Sequence, residues 1–152
     1  MIFYHYTCME HLDKIIDSGY LKLSESNISP EEEKAGPGVV WLVKKRITGK
    51  APSMLTSRAV LSSGGKLVPV TIDKSRVEIT VDLSSEEVQR SDKFFRKHKS
   101  PTWWVEALED YTNSKARDWY VIERTIPSEE WIEIKDRYNE QDVIKTNSIK
   151  EK

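Results

Sequence analysis

Only one cysteine, Cys8, occurs among the 152 residues of this chain. That excludes an intramolecular disulfide and any cysteine-cluster zinc site. It also fits a reducing compartment, so the chain reads as cytoplasmic. Histidine is scarce too: His5, His11 and His98 are the three present. None stands in the spacing of a histidine metal motif, so no metal is expected. The phosphate-loop and dinucleotide glycine fingerprints are both absent. No apolar run approaches the length of a membrane span, and the N-terminus lacks the basic-then-apolar order of a secretion signal. Neither sign of charge dominates, with 24 Lys+Arg against 25 Asp+Glu. Net charge therefore selects no partner, and no membrane is expected as one. There is no internal repeat and no low-complexity tract.

What is present suits a single domain of ordinary size, long enough to bury a core without a staple. Charge is uneven along it. Lys44, Lys45, Arg46, Lys50, Arg58, Lys66, Lys74 and Arg76 face a single acid, Asp73, over the 44–76 stretch. A basic, loop-rich centre suits a phosphate-bearing ligand or a nucleic-acid backbone. A solvated surface balanced by acids such as Glu31-Glu32-Glu33 explains it equally well.

Periodicity predicts the elements. Ile2 to Tyr6 reads as a strand. Thr7-Cys8-Met9-Glu10 has the form of a capping box for the helix that follows. Leu12, Ile15 and Ile16 supply its apolar stripe, and Gly19 its stop. Tyr20 to Leu23 is a short strand, and Ser24 to Pro37 a polar loop. Val39 to Val43 is a continuous apolar strand, buried on both faces. Pro52 to Val60 suggests a short helix. Lys66 to Ile72 is an edge strand, because Pro69 lacks a donor. Arg76 to Val81 alternates as a half-buried strand. A helix is expected from Ser84 to about Lys99 and another from Pro101. Strands are expected at Arg117 to Arg124 and Trp131 to Ile134. Residues 136–152 read as a polar tail or helix after a single domain over 1–135. Strands and helices are segregated rather than alternating, so the class is α+β.

Two stretches invite a ligand. His5 ends a strand beside a helix start, where an imidazole can offer a fixed hydrogen bond and the helix N–H groups can meet an anion. A histidine satisfied by backbone is the plainer reading. Gly36-Pro37-Gly38 precedes Val39-Val40-Trp41-Leu42, so backbone can approach closely there and Trp41 can stack on a flat heterocycle. A core aromatic is the plainer reading of Trp41. Cys8 paired with His5 or His11 as a nucleophile is weaker than Cys8 as a small buried residue. Trp103 and Trp104 read as a partner-facing and a core residue of the helix after Pro101.

Taken in order, Tyr4-His5-Tyr6-Thr7 through Gly19 to Leu21, then Gly36 to Leu42, resemble the ADP-ribosyltransferase superfamily. That superfamily includes poly(ADP-ribose) polymerases, DNA-modifying toxins and, more remotely, RNA 2'-phosphotransferases. The resemblance implies a compact fold of split β-sheets with flanking helices. It implies NAD as substrate, cleavage of the nicotinamide–ribose bond, and transfer of ADP-ribose to a protein or nucleic acid. It places His5 at the adenosine ribose and Trp41 on nicotinamide, with Tyr6 and Thr7 as further cofactor contacts. Ser57 and Trp119 would add contacts. The family's catalytic acid falls at Trp119 in this chain, so Asp118 or Glu123 would have to serve. A non-catalytic nucleotide binder is the alternative that this departure suggests. The phosphotransferase group carries arginines beside its histidine, where this chain has Tyr4 and Tyr6. The chain also resembles a bacterial and phage group that shares His5-Tyr6-Thr7-Cys8, Val39-Val40-Trp41-Leu42, Leu55-Thr56-Ser57 and a late Trp-Tyr-Val strand.

Overall fold

The computed structural model describes residues 1–21, 39–47, 55–97, 106, 109, 115–139 and 143–146. For 55–60, 70–71, 116 and 143–146 the backbone alone is described. The architecture is α+β, a mostly antiparallel sheet with two helices among the described residues.

Strand β1 (Ile2–Thr7) leads into helix α1 (Met9–Ser18) and strand β2 (Tyr20–Leu21). Strands β3 (Val40–Val43), β4 (Leu55–Leu61), β5 (Leu67–Asp73), β6 (Val77–Asp82) and β7 (Val88–Arg90) follow, then helix α2 (Ser91–Lys97). Strands β8 (Trp119–Ile122), β9 (Ile126–Pro127), β10 (Trp131–Asp136) and β11 (Val143–Thr146) complete the order. Among the described residues the main sheet has seven strands in the order β11-β10-β6-β1-β3-β8-β7, while β2 pairs with β9 and β4 with β5. Every pairing is antiparallel. β11 lies past residue 135, so the main sheet continues into the stretch expected to be a tail or helix.

Period-two alternation gives each strand two faces. Phe3 stands opposite Val81, His5 opposite Ile79 and Thr7 opposite Val77. On that face Phe3, Val40, Leu42, Val77, Ile79, Val81, Ile122 and Ile134 join Leu12 of α1 in the main core. Burying a side chain of this kind contributes roughly 1.5–3 kcal/mol. The opposite face carries a second cluster of Tyr6, Val43 and Trp119, with Tyr4, Trp41 and Ile47 packed on it. α2 reaches this second face, its Phe95 ring 6.0 Å from that of Trp41.

Several expectations are corrected. The cap of α1 is Cys8, with no side-chain hydrogen bond, because Thr7 is still paired in β1 opposite Val77. The capping box therefore does not close through Thr7. The short helix expected within Pro52 to Val60 is overturned from Leu55 on: Leu55–Leu61 is strand, paired residue for residue with Leu67–Asp73 around the Ser62–Lys66 turn. The long helix expected from Ser84 is a turn, then β7, then the shorter α2. β7 hydrogen-bonds to β8, and that tertiary pairing overrides local helix propensity. β6 is not half-buried, since Glu78 and Thr80 are buried as well as Val77, Ile79 and Val81. The expected polar loop over 24–37, Lys22 and Leu23, and the helix start at Pro101 with Trp103 and Trp104 lie outside the described residues.

Candidate functional site

His5 sits in the middle of the main sheet, on the core face. Register puts Tyr4 opposite Val43, which aligns His5 with Leu42. Trp41 therefore points to the other face, alongside Tyr6. The contact between the two motifs runs through backbone: His5 Nδ1 lies 2.8 Å from the Trp41 carbonyl oxygen. A carbonyl only accepts, so Nδ1 carries the proton and donates. Burial lowers the His5 pKa, and the bond to Trp41 opposes this. The ring is thus held neutral by its surroundings. Its observed role is to lock β1 to β3, and it shares no side-chain pocket with the Trp41 ring.

The two expected carboxylates do not meet His5. Asp118 is exposed in a short helical turn, where its Oδ2 accepts from the Lys115 N–H at 3.2 Å. Glu123 is exposed just past β8 and accepts from Gln89 Nε2 at 2.7 Å. His5 aligns through Leu42 with Tyr120, two strands away. Glu123 is three residues further along, which separates the two backbones by roughly 14 Å at normal strand spacing. Thr7 is buried at the end of β1. Trp119 is 9% exposed and meets Trp41 edge-on, ring centroids 6.3 Å apart, so it braces Trp41 and has no open ring face to offer. Ser57 lies in β4, and its side chain is outside the described residues. Cys8 is free and fully buried, which fits a packing role.

The basic stretch is divided among elements. Lys44, Lys45 and Arg46 are exposed after β3, and Lys66 is exposed at the β4–β5 turn. Arg76 is engaged by Asp136, through bonds of 3.1 and 2.8 Å.

The second face of the sheet has the more interesting chemistry. Tyr4, Tyr6, Trp41 and Trp119 form its aromatic half on β1, β3 and β8. Glu78 and Thr80 of β6 stand next to it, opposite Tyr6 and Tyr4. Glu133 and Lys135 of β10 follow, opposite Thr80 and Glu78. A bulge after Trp131 makes this possible, because it leaves Trp131 opposite Val81 while Glu133 meets Thr80.

Glu78 is 2% exposed. Its Oε2 accepts from the Tyr6 hydroxyl at 2.8 Å, and that hydroxyl accepts from the Ile47 N–H at 2.9 Å. Burial, followed by the Glu78 contact, pushes the Tyr6 pKa well up, so Tyr6 stays a donor to the carboxylate. Glu78 Oε1 stands 3.2 Å from Arg46 Nε as an ion pair. It makes no hydrogen bond, and neither does the buried hydroxyl of Thr80. Arg46 also lies over the Tyr4 ring at 5.0 Å, and Arg137 over the Tyr6 ring at 5.7 Å. Arg137 is fixed by the carbonyls of Ser75 and Ile47.

Sequence reasoning passed over Glu78 and Thr80, because the alternating pattern of β6 assigns them to solvent. The available signal was the tyrosine pair in β1: aromatic residues on the face opposite Phe3 require a covered second face. Among the described residues no group of acidic, histidine and cysteine side chains is placed to hold a metal ion. No helix among them is long and apolar enough to cross a membrane. No protein-family model matches this chain, and no curated protein or solved structure matches it either.

Proposed function

We propose that this chain binds a nucleotide, NAD or an NAD-derived one among the candidates, on the Tyr4–Tyr6–Trp41 face of its main sheet, and that it holds the ligand without transferring ADP-ribose. The observation that supports this most is the partly buried Trp41 ring, braced by Trp119 and Phe95 and followed in the chain by exposed Lys45 and Arg46. A braced indole offers a stacking surface at little entropic cost, and nearby cations suit phosphates. The binder reading also accounts for Asp118 and Glu123, which are engaged elsewhere and distant from His5.

One observation favours the ADP-ribosyltransferase-like reading as a second. Glu78 is a carboxylate on the same face as Trp41, so a negative group is available near an oxocarbenium ion should NAD lie there. The two readings separate in one experiment. The protein is titrated with NAD, ADP-ribose and ATP by calorimetry, and nicotinamide release from NAD is followed in parallel. Binding without release supports the binder, and release abolished by Glu78→Gln supports the transferase. Trp41→Ala is expected to weaken nucleotide binding by about 1–3 kcal/mol, the usual worth of one base stack. Unchanged binding in that variant, or no nucleotide bound at millimolar concentration, overturns the assignment of this face.

A further inference from the structure

Two buried oxygens on one strand face make no hydrogen bond, although one of them, Glu78 Oε1, is ion-paired with Arg46. Glu78 Oε1 and Thr80 Oγ1 are both without a hydrogen bond, at 2% and 7% residue exposure. Such atoms are rare in folded proteins, and each one calls for a partner. They are two residues apart on β6, so they point to the same side. Their ladder neighbours on that side are Tyr6 and Tyr4. The two groups also differ in kind. A carboxylate accepts only, whereas a threonine hydroxyl can donate. Arg46 already balances the charge of Glu78, so a neutral donor suits the remaining oxygen better than a second cation.

We propose that Glu78 and Thr80 form a base-reading subsite for an amino-substituted heterocycle: Glu78 Oε1 accepts from the exocyclic amine while the Thr80 hydroxyl donates to the adjacent ring nitrogen. The pair complements the amine-next-to-imine edge of adenine or cytosine. It opposes the carbonyl-next-to-N–H edge of hypoxanthine or uracil, where a carbonyl oxygen would face a carboxylate. The inference rests on the nucleotide reading above, and it names which nucleotides that site takes.

The test compares ATP with ITP, which differ at this edge, by calorimetry on the full chain. ATP is expected to bind at least roughly 100-fold tighter, since a site built to bond an N–H rejects analogues that lack it. Glu78→Gln supplies an amide N–H to the 6-oxo group, and the ratio is expected to fall below about tenfold. Thr80→Val keeps the shape and is expected to weaken ATP binding about tenfold. It serves as the test should Glu78→Gln fail to fold. Equal binding of ATP and ITP by the unaltered protein overturns the subsite while leaving nucleotide binding in place. A ratio that neither variant reduces also overturns it. No binding of either nucleotide removes the underlying reading, and this inference falls with it.

Discussion

Tyr6 is the residue through which the two sides of the second face are joined. Its hydroxyl donates to Glu78 and accepts from the Ile47 N–H. Tyr6→Phe leaves both partners without it, and a buried polar group left unpaired costs about 1–3 kcal/mol. That loss should appear as a lower urea midpoint with an unchanged slope. A loss under about 0.5 kcal/mol would mean that water replaces the hydroxyl. His5 carries a different signature. Its folded pKa lies below the ordinary imidazole value of 6.5, because burial disfavours the imidazolium. In the unfolded chain it reverts to that ordinary value. Between the two values the unfolded state holds a proton that the folded state does not, so stability rises with pH there. The His5 contribution is complete above about pH 6.5 and is lost as the pH falls towards the folded value. His5→Asn keeps a donor for the Trp41 carbonyl and removes the titration. The stability difference between wild type and variant should therefore shrink as the pH drops from 7 to 5. Parallel curves would show that His5 does not titrate differently in the two states.

Elements show what local sequence can specify. Helix α1 ends at Gly19 with φ +75°, and its N–H bonds to the Ile15 carbonyl. A Cβ there would meet nothing within 4 Å, so the cost of Gly19→Ala is conformational alone. About 1 kcal/mol is expected, read as a lower urea midpoint. A neutral result would mean that the helix end unwinds to relieve the strain. Such a stop is legible in the sequence because it depends on one residue and its φ angle. The strands at residues 2–6, 39–43 and 131–134 are legible for a similar reason, being continuous or alternating apolar runs. The failures lie where a distant partner decides. Leu55 to Leu61 becomes strand because β5 pairs with it, and Val88 to Arg90 because β8 does. The candidate site fails in the same way. Period-two alternation already separates His5 from Tyr6. Whether His5 or Tyr6 shares a face with Trp41 depends on the pairing of Tyr4 with Val43, which no local pattern encodes. The two motifs are neighbours in space, but they meet through a carbonyl rather than across a cleft.

On the scale of the whole molecule, the main sheet divides two environments. One face is a continuous apolar core with α1 on it. The other mixes tyrosines and tryptophans with a buried carboxylate, a buried hydroxyl and two guanidinium groups. An apolar core has no use for such polar groups, since burying them without partners opposes folding. A ligand that satisfies them should therefore stabilise the entire fold, because β6 and β1 lie at the centre of the sheet. Mass action sets the size of the effect. At a hundred times its dissociation constant, a ligand of the native state adds about 2.7 kcal/mol. For a domain of this length that raises Tm by roughly 5–10 °C. ATP or NAD at such a concentration should produce this shift in the unaltered protein. In Trp41→Ala at the same ligand concentration, a tenfold weaker affinity leaves about 1.4 kcal/mol, so the shift should fall to about half or less. Scanning calorimetry with and without ligand measures both numbers. A shift of equal size in the two proteins would place the ligand away from Trp41, whereas no shift in either would leave Glu78 and Thr80 to be satisfied by water.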